Sequence, residues 1–348
     1  MDAKITKLRL SRMLSYDWLK IVGTAAAVII VWVLIFTMTA TRITPAQTFT
    51  ICNYMGNNAL SNGYVKSIND AYKDGIFTGE VLELGAVDLP TNGEYAGQVL
   101  EARIATNEGD LMFVSQQPNV DTAYVVEKVD ETTGETLRET LYGHTYLETF
   151  LSGYRFKLHD LSLENENGYF NQMERYLNVY YTNGYTDESS LDTKKVEEDF
   201  LARIKRTKDK RYKKQEQIQK GVDEAIDRIQ KYQKALVAFY QYLEKGVITL
   251  TKTNYVLMEG EKYPFEGTYS LNLCPNTETM GKLSSIVSYS TTYLTEEGTE
   301  EITASAKDMN VCFFNMNGEE EEFRYEALLY VIELVESVYE PINDGTNK

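Results

Sequence analysis

The chain has 348 residues, 43% hydrophobic and 25% charged, a composition that supports a buried core and excludes disordered or fibrous proteins. A net charge of −17, from 52 acidic against 35 basic side chains, argues against a nucleic-acid binder. With 3 Cys and 2 His, a disulfide-dense scaffold and a His-rich metal centre are excluded.

The charge is unevenly placed. Residues 1–20 form a basic stub, with Lys4, Lys7, Arg9, Arg12 and Lys20 against Asp2 and Asp17, five minus two or +3. Residues 21–40, IVGTAAAVIIVWVLIFTMTA, carry no charge. As a helix they reach about 30 Å, the thickness of a bilayer's hydrocarbon core. Tyr16 and Trp18 stand before the span as interfacial anchors, and Arg42 follows it. The excess of cations before the span predicts a cytoplasmic N-terminus and an extracellular C-terminal domain on a single-pass membrane protein. A cleaved secretory signal is the alternative, but this apolar run is longer than the usual signal core of about 7–15 residues. Residues 41–348 then hold 30 basic and 50 acidic side chains, or −20.

Beyond the anchor the pattern alternates. Phe49–Tyr54 (FTICNY) reads as a strand and Asn62–Lys73 as a helix with Tyr64, Ile68 and Tyr72 on one face. Val81–Val87 is a second strand, Tyr95–Ala105 a second helix, and Asp110–Val114 a third strand. This β-α-β-α-β order predicts a parallel sheet covered by helices, with ligands beyond the carboxyl ends of its strands. Those ends are Tyr54–Asn58, Asp88–Asn92 and Ser115–Asn119. A hairpin is expected around Thr133-Gly134, then helices over Thr145–Tyr181 broken at Gly153 and Gly168. Leu191–Lys245 lacks proline and is too long for one helix of a compact domain, with Gly221 as the expected joint. Val222, Ile226, Ile229, Leu236, Tyr240 and Leu243 make an apolar face on its second half, either packed on the same chain or open to a partner. Lys194–Lys214 is basic, a solvated face or a contact for an anionic surface. Val247–Thr251, Tyr255–Met258, Gly267–Leu273 and Val311–Phe314 read as strands, Tyr293–Thr303 as a surface turn or hairpin, and Phe323–Tyr339 as an amphipathic helix.

Three stretches carry a family resemblance. Residues 94–114, EYAGQVLEARIATNEGDLMFV, resemble the helix–strand unit of extracytoplasmic solute-binding proteins of ABC transporters, with Gly109-Asp110 at the small-residue turn and acidic strand opening. Residues 268–274, TYSLNLC, resemble the strand returning to the first lobe, and residues 311–339 the late strand and C-terminal helix. The resemblance implies a two-lobed, periplasmic-binding-protein-like α/β fold, to which the residues themselves add an N-terminal transmembrane helix and a helix-rich middle region. Its parts are a cytoplasmic stub (1–20), the transmembrane helix (21–40), a first α/β lobe (43–135), a helix-rich second lobe (136–264), a return to the first lobe with the C-terminal helix (265–340) and a tail (341–348). It also implies a small solute such as a sugar in the cleft and permease subunits as partners. A retained helical anchor and a charged, helical middle region depart from the family and point also to an assembly or sensor role on the same fold.

No catalytic chemistry stands out. The sequence has no G-x-S-x-G, H-E-x-x-H or G-x-x-x-x-G-K motif, and His144 and His159 have no metal-ligand spacing. The chain is therefore expected to be a binding protein without metal or cofactor, not an enzyme; paired carboxylates of a carbohydrate-active enzyme are the remaining catalytic option. Cys52, Cys274 and Cys312 read as buried apolar side chains, with a Cys274–Cys312 disulfide as the alternative. Tyrosine rings with amide partners suit a sugar. The candidate ligand-binding residues are Tyr54, Asn57, Asn58, Asn92 and Gln116 at strand ends, with Tyr289 and Tyr293 later in the chain.

Overall fold

The computed structural model describes residues 7–39, 47–54, 59–60, 75–77, 81–89, 95–106, 108–129, 136–257, 263–276, 283–284, 288–294, 300–315 and 324–339. The helix expected over 62–73 and the tail 341–348 lie outside the described residues. The chain divides into two units, Met1–Ile43 and Thr44–Lys348.

The described residues of the first unit form one helix, α1 (Lys7–Thr39). Its stretch Trp18–Thr37 is apolar, 20 residues long and wholly exposed within the unit, long enough to cross a membrane. The hydroxyls inside it are satisfied locally, as an apolar medium requires: Thr24 Oγ1 donates to the Lys20 carbonyl (2.8 Å) and Thr37 Oγ1 to that of Leu34 (3.0 Å).

The second unit is a mixed α/β body. Its strands are β1 (Thr48–Tyr54), β2 (Ala59–Leu60), β3 (Glu83–Asp88), β4 (Leu111–Ser115), β5 (Ala123–Val129), β6 (Thr136–Tyr142), β7 (Thr249–Tyr255), β8 (Phe265–Asn272), β9 (Ser288–Leu294), β10 (Glu300–Ser305) and β11 (Met309–Phe313). Its helices are α2 (Ala96–Ala105), α3 (Tyr146–Tyr154), α4 (Tyr169–Asn178), α5 (Thr193–Thr207), α6 (Gln215–Glu244) and α7 (Glu326–Val338). The main sheet has six strands in the order β3-β1-β4-β11-β8-β7. The expected parallel pairing holds for β1 with β3 and with β4, but β11 enters beside β4 antiparallel and the sheet continues antiparallel to β7. The sheet is thus mixed: β11 runs antiparallel to both β4 and β8, and the consecutive strands β7 and β8 pair antiparallel at its edge. A second sheet, β10-β9-β2, contains the hairpin of the acidic segment, and β5 pairs with β6 as a separate ribbon.

Strand alternation explains the layers. Phe49 and Ile51 of β1, Leu111 and Phe113 of β4, and Val311 and Phe313 of β11 point into one core with α4, α5, α6 and α7. Cys52, Met112, Val114 and Cys312 point to the other side, against Leu100 of α2 and Leu147, Phe150 and Leu151 of α3. Helix α7 is buried nearly all round, as its apolar composition demands.

The joint between α5 and α6 differs from the expectation. Helix α6 runs through Gly221, and the break lies at residues 208–214, where Lys208 ends α5 in the left-handed region (φ 54°). Gly221 serves close packing instead. A Cβ there would lie 2.3 Å from Phe200 Cζ and 2.6 Å from Tyr212 Cε1. Gly153 likewise lies inside α3, and residues 249–255, expected as parts of two strands, form β7 alone. The apolar face of α6 packs on its own chain: Val222, Ile229 and Leu236 are buried, and Ile226, Tyr240 and Leu243 are half-buried against the same core.

Candidate functional site

The carboxyl ends of β1 and β4 meet the amino end of β11 at a polar cluster. Asn53 on β1 and Ser115 on β4 continue the alternation that buries Ile51 and Phe113, so both are drawn into the body and lie buried. Ser115 Oγ has no hydrogen-bond partner among the described residues. Asp308, in the left-handed region at φ 52°, reverses the chain just before β11. Its carbonyl accepts from Gln116 N (3.3 Å) and from Asn310 Nδ2 (2.8 Å), and its carboxylate accepts from Asn272 Nδ2 (3.1 Å). Asn310 Oδ1 in turn accepts from Thr251 Oγ1 (2.7 Å) and Ser270 Oγ (3.1 Å), which ties β7, β8 and β11 together.

The loop after β4 is equally well held. Gln117 O accepts from Tyr146 N (3.0 Å), and Asn119 N donates to His144 O (2.8 Å). Asn119 also caps the turn at 120–122 by accepting from Asp121 N (3.0 Å), while its amide donates to Thr149 Oγ1 (2.9 Å). Thr145 and Glu148 form a reciprocal capping box that starts α3 beside this loop.

Of the candidate residues, Tyr54 and Gln116 lie at the ends of β1 and β4, both half-buried. The Tyr54 ring packs on Phe150 (5.9 Å between centroids) and edge-on to Tyr146 (6.2 Å). Burial, with the nearby Asp121 charge, pushes its hydroxyl up to about 12, so it is a neutral donor. Tyr289 reaches the same cluster through Gln117, whose amide donates to its hydroxyl (2.9 Å). That hydroxyl donates to the Lys307 carbonyl (2.6 Å), and the residue is 2% exposed, so its polar atom is committed within the chain. Tyr293 lies on β9 opposite Glu301. Asn57, Asn58 and Asn92 lie outside the described residues.

Sequence reasoning missed Gln117, Asn272, Asp308 and Asn310. The available signal was the Lys307-Asp308 pair between two strand patterns, a turn that places Asn310 two residues on.

The titratable groups elsewhere are spread apart. His159 is buried against Tyr169, and burial with the nearby Arg324 charge lowers its pKa to about 3. His144 stacks on Tyr255 (4.3 Å between centroids) with Nδ1 4.0 Å from Glu148 Oε2. No group of three His, Cys, Asp or Glu suited to a metal ion occurs among the described residues. All three cysteines are buried and none is in a disulfide. The alternative Cys274–Cys312 disulfide does not form, because the strand alternation sends Cys312 to the α2/α3 side and Cys274 to the opposite core.

One surface feature also stands apart from the acidic body. Lys205, Arg206, Lys208, Lys210, Lys213 and Lys214 are exposed around the α5–α6 turn, against Asp209, which is tied to Arg211 Nη2 (2.7 Å). The chain matches no family model, no curated protein and no solved structure.

Proposed function

We propose that the chain is a membrane-anchored extracytoplasmic protein of the solute-binding kind, which presents a small polar solute such as a sugar to an ABC transport system. In this reading α1 crosses the bilayer with its N-terminus in the cytoplasm, and residues 43–348 work outside. In this reading the first lobe spans 43–135 with its return at 265–340, and residues 136–264, expected as the second lobe, pack on the main sheet through α4, α5 and α6 and supply its edge strand β7. The observation that carries the reading is the polar cluster at the carboxyl ends of β1 and β4, where Gln116 meets the Asp308 turn. Such strand ends are where open α/β sheets hold ligands. The entry of β8 and β11 into the β1/β4 sheet supports the reading further.

The test is a thermal-shift screen of the full chain in detergent micelles against sugars, oligosaccharides and small nutrients. A ligand at about 100 times its Kd adds about 2.7 kcal/mol to the folded form and raises the midpoint by several degrees. Gln116→Ala should shrink that rise. A flat response across the panel removes the solute-binding reading and leaves a partner-binding scaffold on the same fold.

A further inference from the structure

The α5–α6 turn is basic in a body that is strongly acidic. Between Lys205 and Lys214 there are seven cations and one carboxylate, or +6, while residues 41–348 total −20. Lys205, Lys208, Lys210, Lys213 and Lys214 are exposed and make no ion pair among the described residues.

Helix stability explains only part of this. Lys205, Arg206 and Lys208 sit at the C-terminal end of α5, where cations complement the helix dipole. Lys213 and Lys214 stand at the N-terminal end of α6, where the dipole opposes a cation. Lys208 also holds a left-handed conformation that Gly or Asn would adopt with less strain. Lys213 and Lys214 thus stand against the dipole of α6, and Lys208 against the preference of its own backbone conformation.

The turn is built rigidly. Arg211 N donates to Asp209 Oδ1 (2.9 Å) and its guanidinium grips the same carboxylate. Gln217 Oε1 accepts from Lys213 N (3.1 Å) and Lys214 N (2.9 Å). Below the turn, Gly221 lets α6 approach Phe200 and Tyr212 closely. The lysines thus radiate from a fixed support.

We infer that this turn docks on the anionic phosphates of a lipid bilayer. The inference rests on the membrane-anchor reading above. Seven residues, 40–46, join α1 to Gln47, a tether that reaches at most about 25 Å when extended. A body on such a tether meets the bilayer as its most concentrated polyanion. Its acidic bulk is repelled there, and the α5–α6 turn is attracted.

The test uses the full chain reconstituted in liposomes with Gln215→Cys, an exposed position, carrying a nitroxide; the native thiols are buried. Flotation after an alkaline carbonate wash first checks the anchor, and failure there overturns the anchor reading. With the anchor intact, the nitroxide should lose accessibility to an aqueous relaxant in vesicles of phosphatidylglycerol and phosphatidylcholine, and regain it at high salt. Lys210→Gln/Lys213→Gln/Lys214→Gln should weaken docking on the order of 100-fold at low salt. Lys208→Gly should weaken docking while raising the thermal midpoint. Equal accessibility with and without the anionic lipid overturns the proposal, as does a triple variant that docks like the parent. Protection by soluble polyphosphate but not by the anionic vesicles overturns the assignment to the bilayer.

Discussion

Strands β4 and β5 are neighbours in the chain with opposite fates. Both are rich in apolar residues, LMFVS and AYVVEKV, and only the loop 116–122 separates them. Every residue of β4 is buried, whereas β5 is exposed along nearly its whole length. The difference lies in what the neighbours offer. Strand β4 has β1 on one edge, β11 on the other and helices over both faces. Among the described residues strand β5 pairs only with β6, and a two-stranded ribbon holds through cross-strand pairs. Those pairs are ionic here: Glu127 with Arg138 (3.0 Å), and Lys128 with Glu139.

The comparison can be broken most strongly in the core. Phe113→Ala on β4 removes a ring from the α4/α6/α7 side and should cost about 3–5 kcal/mol in urea unfolding of the body. A loss near that of a surface change would mean that β4 is not the keystone of the sheet. Next comes the α5–α6 seam. Gly221→Ala gains helix propensity of about 1 kcal/mol but drives a methyl into the Phe200 ring, and overpacking of this kind costs about 1–3 kcal/mol. A variant more stable than the parent would show that the helices separate freely.

Asp110 and His159 sharpen the comparison by pH. Asp110 opens β4 and accepts from Thr50 N (2.7 Å), yet burial raises its carboxyl to about 7. The folded form therefore holds a proton that the unfolded form releases near pH 4, and this contribution to stability fades as pH climbs from about 4 to 7. His159 acts in the opposite sense. With its pKa lowered to about 3, the folded form stays neutral while the unfolded form gains a proton below about 6.5, so acidification destabilises. Relative to the parent, Asp110→Asn should remain more stable as pH rises toward 7, and His159→Asn should lose less stability on acidification. Melting curves from pH 4 to 8 read both; slopes of the same sign would contradict the assignment. The smallest effect belongs to the ribbon. Arg138→Gln should change stability by less than about 1 kcal/mol, because the pair is exposed, and a larger loss would make the β5–β6 hairpin part of the folding core.

Local patterns were legible where burial repeats regularly. Phe49–Tyr54, Tyr95–Ala105 and Phe323–Tyr339 carry periodic apolar residues, and β1, α2 and α7 follow them closely. The hairpin expected around Thr133-Gly134 is matched by the antiparallel pairing of β5 with β6, while the turn residues themselves lie outside the described residues. Sheet order was not legible, since β11 pairs with β4 about 200 residues away and no local pattern encodes that partner. Glycine misled at position 221, where a conformational breaker and a packing device look alike in sequence. Within the candidate site, strand-end positions such as Tyr54 and Gln116 could be read from periodicity. The Asp308–Asn310 network could not, because it depends on three strands meeting at one end of the sheet.

The sulfur row across the sheet has a consequence for biogenesis. Cys52 and Cys312 flank Met112 in register on β1, β4 and β11, and burial pushes the Cys52 thiol up to about 12 and Cys312 higher still. Folded, these thiols are poor nucleophiles and closed to oxidants. Unfolded, they and Cys274 regain ordinary reactivity, and on the proposed outer side of the membrane a crossed disulfide would trap a chain whose native state has none. In the proposed topology the closing of β11 onto β4 is thus a deadline: sheet completion must outrun oxidation, and a chain that folds late is a chain that is lost.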